Sequence, residues 1–300
     1  MLRGARTTQV SAQAKINLRL RVLAREDTGF HQIETLFLRV ELADVVRIRR
    51  TTRGCSLDVF GDVDADALGP VERNLAWRAA TAYLDASGSS GGFAIELEKR
   101  IPIGGGLGGG SADAAAVLRA LDASAHEPIG APQLLDLAAM LGADVPFLTS
   151  EHAYALAWGR GERLLPLQPP PAADVMIVVP PFAVRTAAAY GWLDDARSAD
   201  GEMSEGALQL DLRALSRWDA LQELALNDFE PVVASRYPEI GRVIDELRRG
   251  GMDPVMMSGS GSAVFGIAPP NGVLGRVPLR GATVHVTRTV THVEPVSPID

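Results

Sequence analysis

The chain has 300 residues, 47% hydrophobic and 22% charged, which is typical of a soluble globular protein long enough for two domains. Its net charge of −8 argues against a general nucleic-acid binder, because such proteins gain affinity by neutralising phosphates. The longest apolar run, VMIVVPPFAV, is short for a membrane span and contains two prolines. A single cysteine, Cys55, excludes an internal disulfide framework and a cysteine-based zinc site, and it suits a reducing cytoplasm.

The first half of the chain begins with a basic, hydroxyl-rich segment, residues 1–13, which we expect to be a short disordered start. After it, polar and apolar side chains alternate in several segments, as they do in half-buried strands. This alternation predicts strands at 14–27, 35–50, 56–60 and 93–100, and a hairpin over 153–167.

Three helices are predicted between these strands. Asn74 is placed to be the N-cap of a helix over 75–86, because its side chain can accept a hydrogen bond from a free backbone N–H. Ser111 is predicted to cap the next helix in the same way. A third helix is expected to begin at Pro132 and to end at Gly142.

A proline-rich segment, QPPPAA at 168–173, is the clearest boundary signal. It divides the chain into expected domains of residues 1–168 and 169–300. Strands and helices mix without strict alternation, which predicts an α+β protein. In the second part we expect a strand from residue 175, two helices within 220–251, a loop leading into a strand over 255–267, a strand pair over 283–290 and a frayed tail from 294.

Glycine occupies six of the seven positions in residues 104–110, which lets backbone approach a ligand closely. The segment contains a G-x-G-x-x-G match, but the preceding strand alternates and Pro102 interrupts the turn, so a Rossmann fold is disfavoured. A P-loop is excluded because no G-K-[ST] follows. Backbone N–H groups leading into a helix would bind a polyanion such as a nucleoside triphosphate. The alternative, a flexible surface loop, does not explain the apolar Leu107.

Lysine is rare in this chain: only two of its 29 basic residues, Lys15 and Lys99, are lysines. Lys15 lies on the polar face of the first predicted strand, with Asn17 on the same side. A compact ammonium there could bind a phosphate or keep a carboxylate ionised, or it could simply be solvated. Asp144 precedes Val145 and Pro146 and could equally be an ordinary turn aspartate.

Five segments together resemble one family. IPIGGGLGGGSADAA resembles the phosphate-binding motif of the GHMP kinase superfamily, and the other four are similar to further motifs in the same order. The resemblance implies an α+β fold of two domains, the first like domain 2 of ribosomal protein S5 and the second a ferredoxin-like α/β sandwich, with the site between them. It also implies ATP and Mg²⁺ as cofactors. The other segments are AKINLRLRVLAREDTGFHQIETLF, LGADVPFLTS, NDFEPVV and MSGSGSAVFG.

GFHQIETLF, GADVPF and GLGGGS point to the branch that phosphorylates the 2-hydroxyl of a cytidylated methylerythritol in non-mevalonate isoprenoid biosynthesis. The resemblance implies that Asp144 is the general base and that Lys15 is its catalytic partner. It implies that Ser111 contacts a phosphate or Mg²⁺, while no acidic residue is singled out as a metal ligand. The residues implied to hold ATP are Pro102, Gly104, Gly105, Gly106, Leu107, Gly108, Gly109, Gly110 and Ser111.

For the acceptor, the resemblance implies that Phe30 and His31 meet the cytosine, by stacking and by hydrogen bonding. Phe182 would cover the opposite face of the base, Thr186 would line the same pocket, and Asn17 would complete the substrate-binding set. A second glycine loop, residues 258–262, is implied to pack beside the first.

Three positions depart from the family pattern: Ala112 replaces a second hydroxyl, Phe30 a tyrosine and Gln13 a proline. The alternatives are another GHMP kinase of homoserine or mevalonate type, or a catalytically silent nucleotide-binding paralogue. Retention of Lys15 and Asp144 argues against the silent paralogue. We expect a small-molecule substrate, no nucleic-acid or membrane partner, a monomer or weak homodimer, and a cytoplasmic location.

Overall fold

The fold is described from a computed structural model, which covers residues 7–61, 63, 69–200, 211–269 and 281–299. Over these residues the strands form two sheets, one of eight strands and one of four. No helix among them is both long and apolar enough to cross a bilayer.

The larger sheet is built on a long antiparallel pair, β1 (Thr7–Arg25) and β2 (His31–Thr51). The register of this pair shifts at three places along β1, where one strand carries an irregularity. Apolar side chains of both strands point into the main core. The sheet is completed by β3 (Ser56–Gly61), β4 (Gly92–Lys99), β5 (Tyr154–Gly159), β6 (Arg163–Pro166), β8 (Leu226–Asn227) and β12 (Ser297–Ile299).

Four helices from the first half of the chain pack against this sheet and one another: α1 (Leu75–Ala86), α2 (Gly109–Ala123), α3 (Ala131–Leu141) and α4 (Val145–Thr149). The alanine-rich α2 is buried along most of its length, because small side chains let it approach its neighbours closely. Two predictions are confirmed here. Asn74 caps α1 by accepting a 2.9 Å hydrogen bond from the backbone N–H of Ala76, and Gly142 ends α3.

The smaller sheet is antiparallel throughout, and its strands lie in the order β11 (Thr283–Arg288), β7 (Asp174–Val179), β10 (Val264–Ile267) and β9 (Val255–Met257). A second apolar core lies between it and the helices of this half. The most amphipathic of these helices buries Ile240, Val243, Ile244 and Leu247, each burial contributing roughly 1.5–3 kcal/mol before entropy is counted. The helices are α5 (Thr186–Asp200), α6 (Trp218–Leu224), α7 (Phe229–Ala234) and α8 (Pro238–Arg249).

Both ends of the chain are more ordered than the sequence predicts. The expected disordered start is wrong from Thr7 onward, because residues 8–13 pair with β2 and residues 7–9 pair with β12. The expected frayed tail is wrong for Ser297–Ile299, which form β12. Each segment supplies a partner for the other, a long-range pairing that local composition does not reveal.

Three smaller predictions in the second half also fail. Residues 220–251 contain parts of three helices where two were expected. Strand β8 and two short turns interrupt the helical spacing of the apolar residues. Residues 255–257 are a strand where a loop was expected. The expected strand pair over 283–290 is the single strand β11, which finds its partner in β7.

Candidate active site

Two glycine loops meet at the centre of the site, one at residues 102–108 and the other at 258–262. The Ser258 hydroxyl donates a 3.0 Å hydrogen bond to the Gly106 carbonyl oxygen, and the Ala263 N–H donates to the Gly105 carbonyl oxygen at 3.1 Å. A Cβ on Gly106, whose φ is +76°, would lie 2.2 Å from the Ser258 carbonyl oxygen. The contact between the loops therefore requires glycine at this position.

Helix α2 begins earlier than predicted, because Gly108 rather than Ser111 is its N-cap. Gly108 has φ +75° and ψ 18°, a left-handed conformation that glycine adopts at little cost. Ser111 is therefore the third residue of the helix, and the expectation that it caps the helix is wrong. The backbone N–H groups of Gly109, Gly110 and Ser111 have no partner within the helix. Such N–H groups at a helix N-terminus suit the binding of an anion.

A cavity of about 190 Å³ follows the first glycine loop. Pro102, Leu107 and the six glycines of residues 104–110 line it, and Ser111 follows directly in the first turn of α2. The ATP-binding residues expected from the sequence are thus contiguous along one cavity and one helix terminus.

Lys15 joins the first glycine loop to Asp144. Its side chain is buried, and its Nζ atom donates to the Asn17 Oδ1 atom at 2.7 Å and to the Gly106 carbonyl oxygen at 2.9 Å. The same Nζ atom lies 3.3 Å from the Asp144 Oδ2 atom. The three donors of the ammonium group are thus directed to an amide, a loop carbonyl and a carboxylate. The two residues predicted as the catalytic pair lie in contact.

Asn17 connects Lys15 to a buried chain of hydrogen bonds. It is buried, and its Nδ2 atom donates to the Thr35 hydroxyl oxygen at 2.8 Å, while that hydroxyl donates to the Arg19 carbonyl oxygen at 2.7 Å. Asn17 therefore acts on Lys15, whereas the sequence places it among the substrate-binding residues.

A second buried lysine lies beneath the first glycine loop. The Lys99 Nζ atom contacts carboxylate oxygens of both Asp44 and Asp113, the latter at 2.6 Å. Asp44 also accepts hydrogen bonds from the backbone N–H groups of Arg100 and Ile101, at 2.5 and 2.8 Å. The Lys99 cluster, formed by Asp44, Lys99 and Asp113, thus ties the entry of the loop to helix α2 at its exit.

Burial dominates the titration of the Lys99 cluster. It raises the pKa of Asp113 to about 8, although the Lys99 charge opposes the shift. Burial lowers the pKa of Lys99, but the two carboxylates outweigh it and leave that pKa raised overall. The sequence signalled Lys99 only as one of two lysines, and the role of its cluster depends on contacts between distant segments.

A larger cavity, of about 820 Å³, opens beside Asp144, and Phe30, His31 and Tyr190 line it. The His31 and Tyr190 rings stack with centroids 4.6 Å apart, and the His31 Nε2 atom lies 2.8 Å from the Asp194 Oδ1 atom. Burial, and then the charges of Asp144 and Asp194, raise the pKa of Tyr190 to about 12. The cavity is of the size of small-molecule sites.

The structure does not bring Phe182 together with Phe30 and His31. Phe182 stacks on Tyr237 at 4.5 Å in the second core, whereas Tyr190 lines the larger cavity and stacks on His31. Thr186 begins α5 and its hydroxyl lies 2.9 Å from that of Ser260, in the second glycine loop. Tyr190 was missed, but its position one helical turn after Thr186 was a usable signal.

Among the residues that the structure describes, no group of three histidine, cysteine, aspartate or glutamate side chains could hold an ion. Mg²⁺ commonly binds through one or two protein oxygens, nucleotide phosphates and water, and the Ser111 hydroxyl at the start of α2 fits such a role.

The glycine loop lies beside a paired lysine and aspartate, and a small-molecule cavity opens next to them. This arrangement is typical of a phosphotransferase. The chain belongs to the GHMP kinases. The family model of the GHMP kinases N terminal domain matches residues 74–152, and that of the GHMP kinases C terminal region matches residues 207–277. The chain is therefore an ATP-dependent kinase with the two-domain α+β fold of that family.

The relatives are similar over most of their length. The chain is 40% identical over 267 residues to 4-diphosphocytidyl-2-C-methyl-D-erythritol kinase of Solibacter usitatus, covering 87% of this chain and 81% of that protein. It is 41% identical to the kinase of the same name from Solidesulfovibrio magneticus, covering 87% and 88%.

Solved structures agree on the fold. The crystal structure of a 4-(cytidine 5'-diphospho)-2C-methyl-D-erythritol kinase is 35% identical, with a TM-score of 0.72 over 94% of this chain and 98% of that one. Homoserine kinase from Cytophaga hutchinsonii has a TM-score of 0.70 at 17% identity, covering 98% and 97%, and this likeness concerns the fold alone.

Proposed function

We propose that this kinase transfers the γ-phosphoryl group of ATP to the 2-hydroxyl of 4-diphosphocytidyl-2-C-methyl-D-erythritol. The observation that carries the proposal is the position of Asp144. It contacts Lys15 at the first glycine loop on one side and follows Gly142 and Ala143, which line the larger cavity, on the other. The relatives of that name support the choice of acceptor.

Asp144 accepts the proton of the acceptor hydroxyl as the oxygen attacks the γ-phosphorus. The bond from that phosphorus to the β,γ-bridging oxygen breaks, and ADP leaves with the bond's electron pair. The Lys15 ammonium group contacts Asp144 at 3.3 Å and adds positive potential where negative charge develops. An ionised carboxylate of modest basicity is sufficient, because proton transfer accompanies bond formation.

The first turn of α2 holds the phosphates. The free N–H groups of Gly109, Gly110 and Ser111 donate to phosphate oxygens, and the partial positive charge of the helix terminus adds to the attraction. Mg²⁺, when bound, neutralises phosphate charge, and the Ser111 hydroxyl would be its protein ligand. Ala112 offers no second hydroxyl, so the remaining ligands would come from phosphate and water.

The larger cavity is proposed to bind the cytosine. If neutral His31 donates from Nε2 to Asp194, its Nδ1 atom is left to accept a hydrogen bond from the exocyclic amino group of the base. The exposed Phe30 ring offers a face for stacking, and Tyr190 supports His31 from the opposite side. The hydroxyl that a tyrosine would carry at position 30 is not needed for stacking.

We further infer that the enzyme works in the cytoplasm, because its single cysteine, Cys55, is exposed and free, which suits a reducing compartment. A monomer or weak homodimer stays a prediction.

The test is ADP release from Mg-ATP by the purified protein with the cytidylated erythritol, homoserine, mevalonate or no acceptor. We expect turnover with the cytidylated acceptor alone, and a loss of about 10²- to 10⁴-fold in Asp144→Asn. Turnover with homoserine or mevalonate would refute the assignment of the cytosine cavity. Binding of ATP without turnover on any acceptor would favour a silent paralogue.

A further inference from the structure

Arg160 has no role in the proposed reaction, yet it covers the ring that is proposed to stack on the acceptor. Its guanidinium carbon lies 4.1 Å from the centroid of the Phe30 ring. We propose that Arg160 is a specificity-determining residue for the acceptor, because it holds Phe30 in the orientation that stacks on the base. This inference rests on the proposed function, since it assumes a planar base in the larger cavity.

Hydrogen bonds to Glu26 and Thr28 hold the Arg160 guanidinium group in position. Its Nη2 atom donates to the Glu26 Oε2 atom at 2.5 Å and to the Thr28 hydroxyl oxygen at 3.2 Å. Its own backbone N–H donates to the Glu162 Oε2 atom at 2.7 Å. The hydrogen bond from Arg160 lowers the pKa of Glu26, so the pair stays ionised near neutral pH.

The turn that carries Phe30 is closed on itself. The Glu26 N–H donates to the Phe30 carbonyl oxygen at 2.7 Å, and the Gly29 N–H donates to the Glu26 carbonyl oxygen at 2.8 Å. Arg160 belongs to the β5–β6 turn, which lines the same cavity as Glu26 and Phe30. Arg160 therefore joins two separate turns in the wall of one cavity.

Phe30 needs such support because 57% of its surface is exposed. An exposed ring samples several rotamers, and a base that stacks on it must first order it. A guanidinium over one face favours one orientation and leaves the other face for the base. The result is a layered arrangement of guanidinium, phenyl ring and cytosine.

A second reading is that Arg160 binds the diphosphate of the acceptor through its charge. The Glu26 carboxylate already neutralises that charge at 2.5 Å, which favours the stacking role. The two readings differ in the part of the ligand that Arg160 helps to bind. Stacking would strengthen binding of the base, whereas the charge of Arg160 would strengthen binding of the phosphates.

The experiment measures binding of cytidine and of cytidine diphosphate to the wild type, Arg160→Ala and Arg163→Ala, together with KM and kcat for the cytidylated acceptor. Arg163 is the matched control, because it is on the same hairpin and its side chain, 67% exposed, pairs with Glu162 at 3.7 Å. We expect Arg160→Ala to weaken cytidine and cytidine diphosphate equally, by about two- to fivefold. KM for the acceptor should rise by the same factor, with a smaller effect on kcat.

Three outcomes would overturn the inference. A loss of affinity confined to cytidine diphosphate would show that Arg160 binds the phosphates. Equal losses of affinity in Arg160→Ala and Arg163→Ala would show that Arg160 acts only through its positive charge. Unchanged binding in Arg160→Ala would remove any role in recognition. If the wild type binds neither ligand, the proposed function itself fails. Thermal unfolding of each variant checks that the fold is intact.

Discussion

The buried Lys15 side chain is held in one position by three polar partners. Burying an ammonium group costs several kcal/mol unless its donors are satisfied. Here an amide oxygen, a carbonyl oxygen and a carboxylate oxygen lie within 3.3 Å of the Nζ atom. In the proposed reaction the cation is in place for the phosphoryl group before substrates arrive, which is the form of electrostatic catalysis that needs little reorganisation.

Asn17 should affect catalysis only through Lys15. We expect Lys15→Ala to lower kcat by about 10²- to 10³-fold and Asn17→Ala by a smaller factor, because the ammonium group keeps two of its partners. The double variant should be no slower than Lys15→Ala alone. Steady-state kinetics on the three variants tests this. Additive losses would show that Asn17 touches the substrate, as the sequence predicted.

Asp113 should make the stability of the protein depend on pH. Its pKa is raised from 3.8 to about 8 in the folded state, so between these values the folded state holds a proton that the unfolded state has lost. The free energy of unfolding therefore falls as pH rises through this window. We expect Asp113→Asn to remove that fall, so its stability relative to the wild type should increase from pH about 4 to about 8.

Urea unfolding at several pH values measures the difference. The exposed Asp85, on α1, provides the control Asp85→Asn for loss of a surface carboxylate. A stability difference between wild type and Asp113→Asn that stays constant across the window would contradict the assignment of the proton to the Lys99 cluster.

At the scale of elements, the first glycine loop and α2 form one unit. The turn into the helix takes place within the glycines, and the loop is held by Lys15, by the second glycine loop and by the Lys99 cluster. A loop restrained from three sides keeps its N–H groups in place for the phosphates. These restraints fix the backbone of a glycine-rich segment, as the proposed binding of phosphate requires.

Gly106→Ala should damage this unit. The left-handed backbone costs roughly 1–2 kcal/mol for a residue with a Cβ, and the added atom would lie 2.2 Å from the Ser258 carbonyl oxygen. We expect a loss of at least that much stability and a weaker affinity for ATP, measured by urea unfolding and nucleotide titration.

Gly191→Ala is the matched control, because this glycine lies within α5 and a Cβ there meets nothing within 4 Å. It should stabilise the protein by about 0.5–1 kcal/mol. Equal effects of the two substitutions would mean that the contact between the loops is unimportant.

Local signals made several elements predictable. The cap at Asn74, the helix end at Gly142 and the turn at 159–161 depend only on residues close in the chain. The sequence alone was therefore enough to predict them. The start of α2 was misplaced because Ser111 is a common capping residue, whereas the left-handed Gly108 ends the loop three residues earlier. Cap preferences are averages, and a run of glycines permits backbone turns that no side chain signals.

The site was predictable where a motif carried it. The first glycine loop was predicted from its residues, Lys15 and Asp144 were assigned from the resemblance, and the structure brings all three together. Tyr190 was missed although Thr186 lies one helical turn before it, and the Lys99 cluster was not found because its contacts join segments far apart in the chain. Their roles depend on the folded arrangement.

At the scale of the whole molecule, the two halves of the chain are interleaved. Strands β8 and β12 come from the second half but pair with β1. The main core likewise contains Leu215, Leu221 and Met256 alongside residues of the first half. The boundary at residue 168 therefore separates segments of sequence that share one core.

A fragment of residues 1–168 should accordingly fail to unfold cooperatively, because it lacks two strands of its sheet and part of its core. The full chain should unfold in a single transition. Calorimetry and circular dichroism on both proteins test this, and a cooperative transition in the fragment would show that the first domain folds alone.

The β1–β2 pair carries Lys15 near its middle and His31 beside its turn, so in the proposed reaction one hairpin sets the spacing between phosphoryl transfer and base recognition. Inserting or deleting one residue within either strand would exchange its inward and outward faces beyond that point. A change in strand length should therefore damage activity more than a substitution at the turn. Attempts to redirect the enzyme to a new acceptor should accordingly exchange side chains around the turn and leave the length of both strands unchanged.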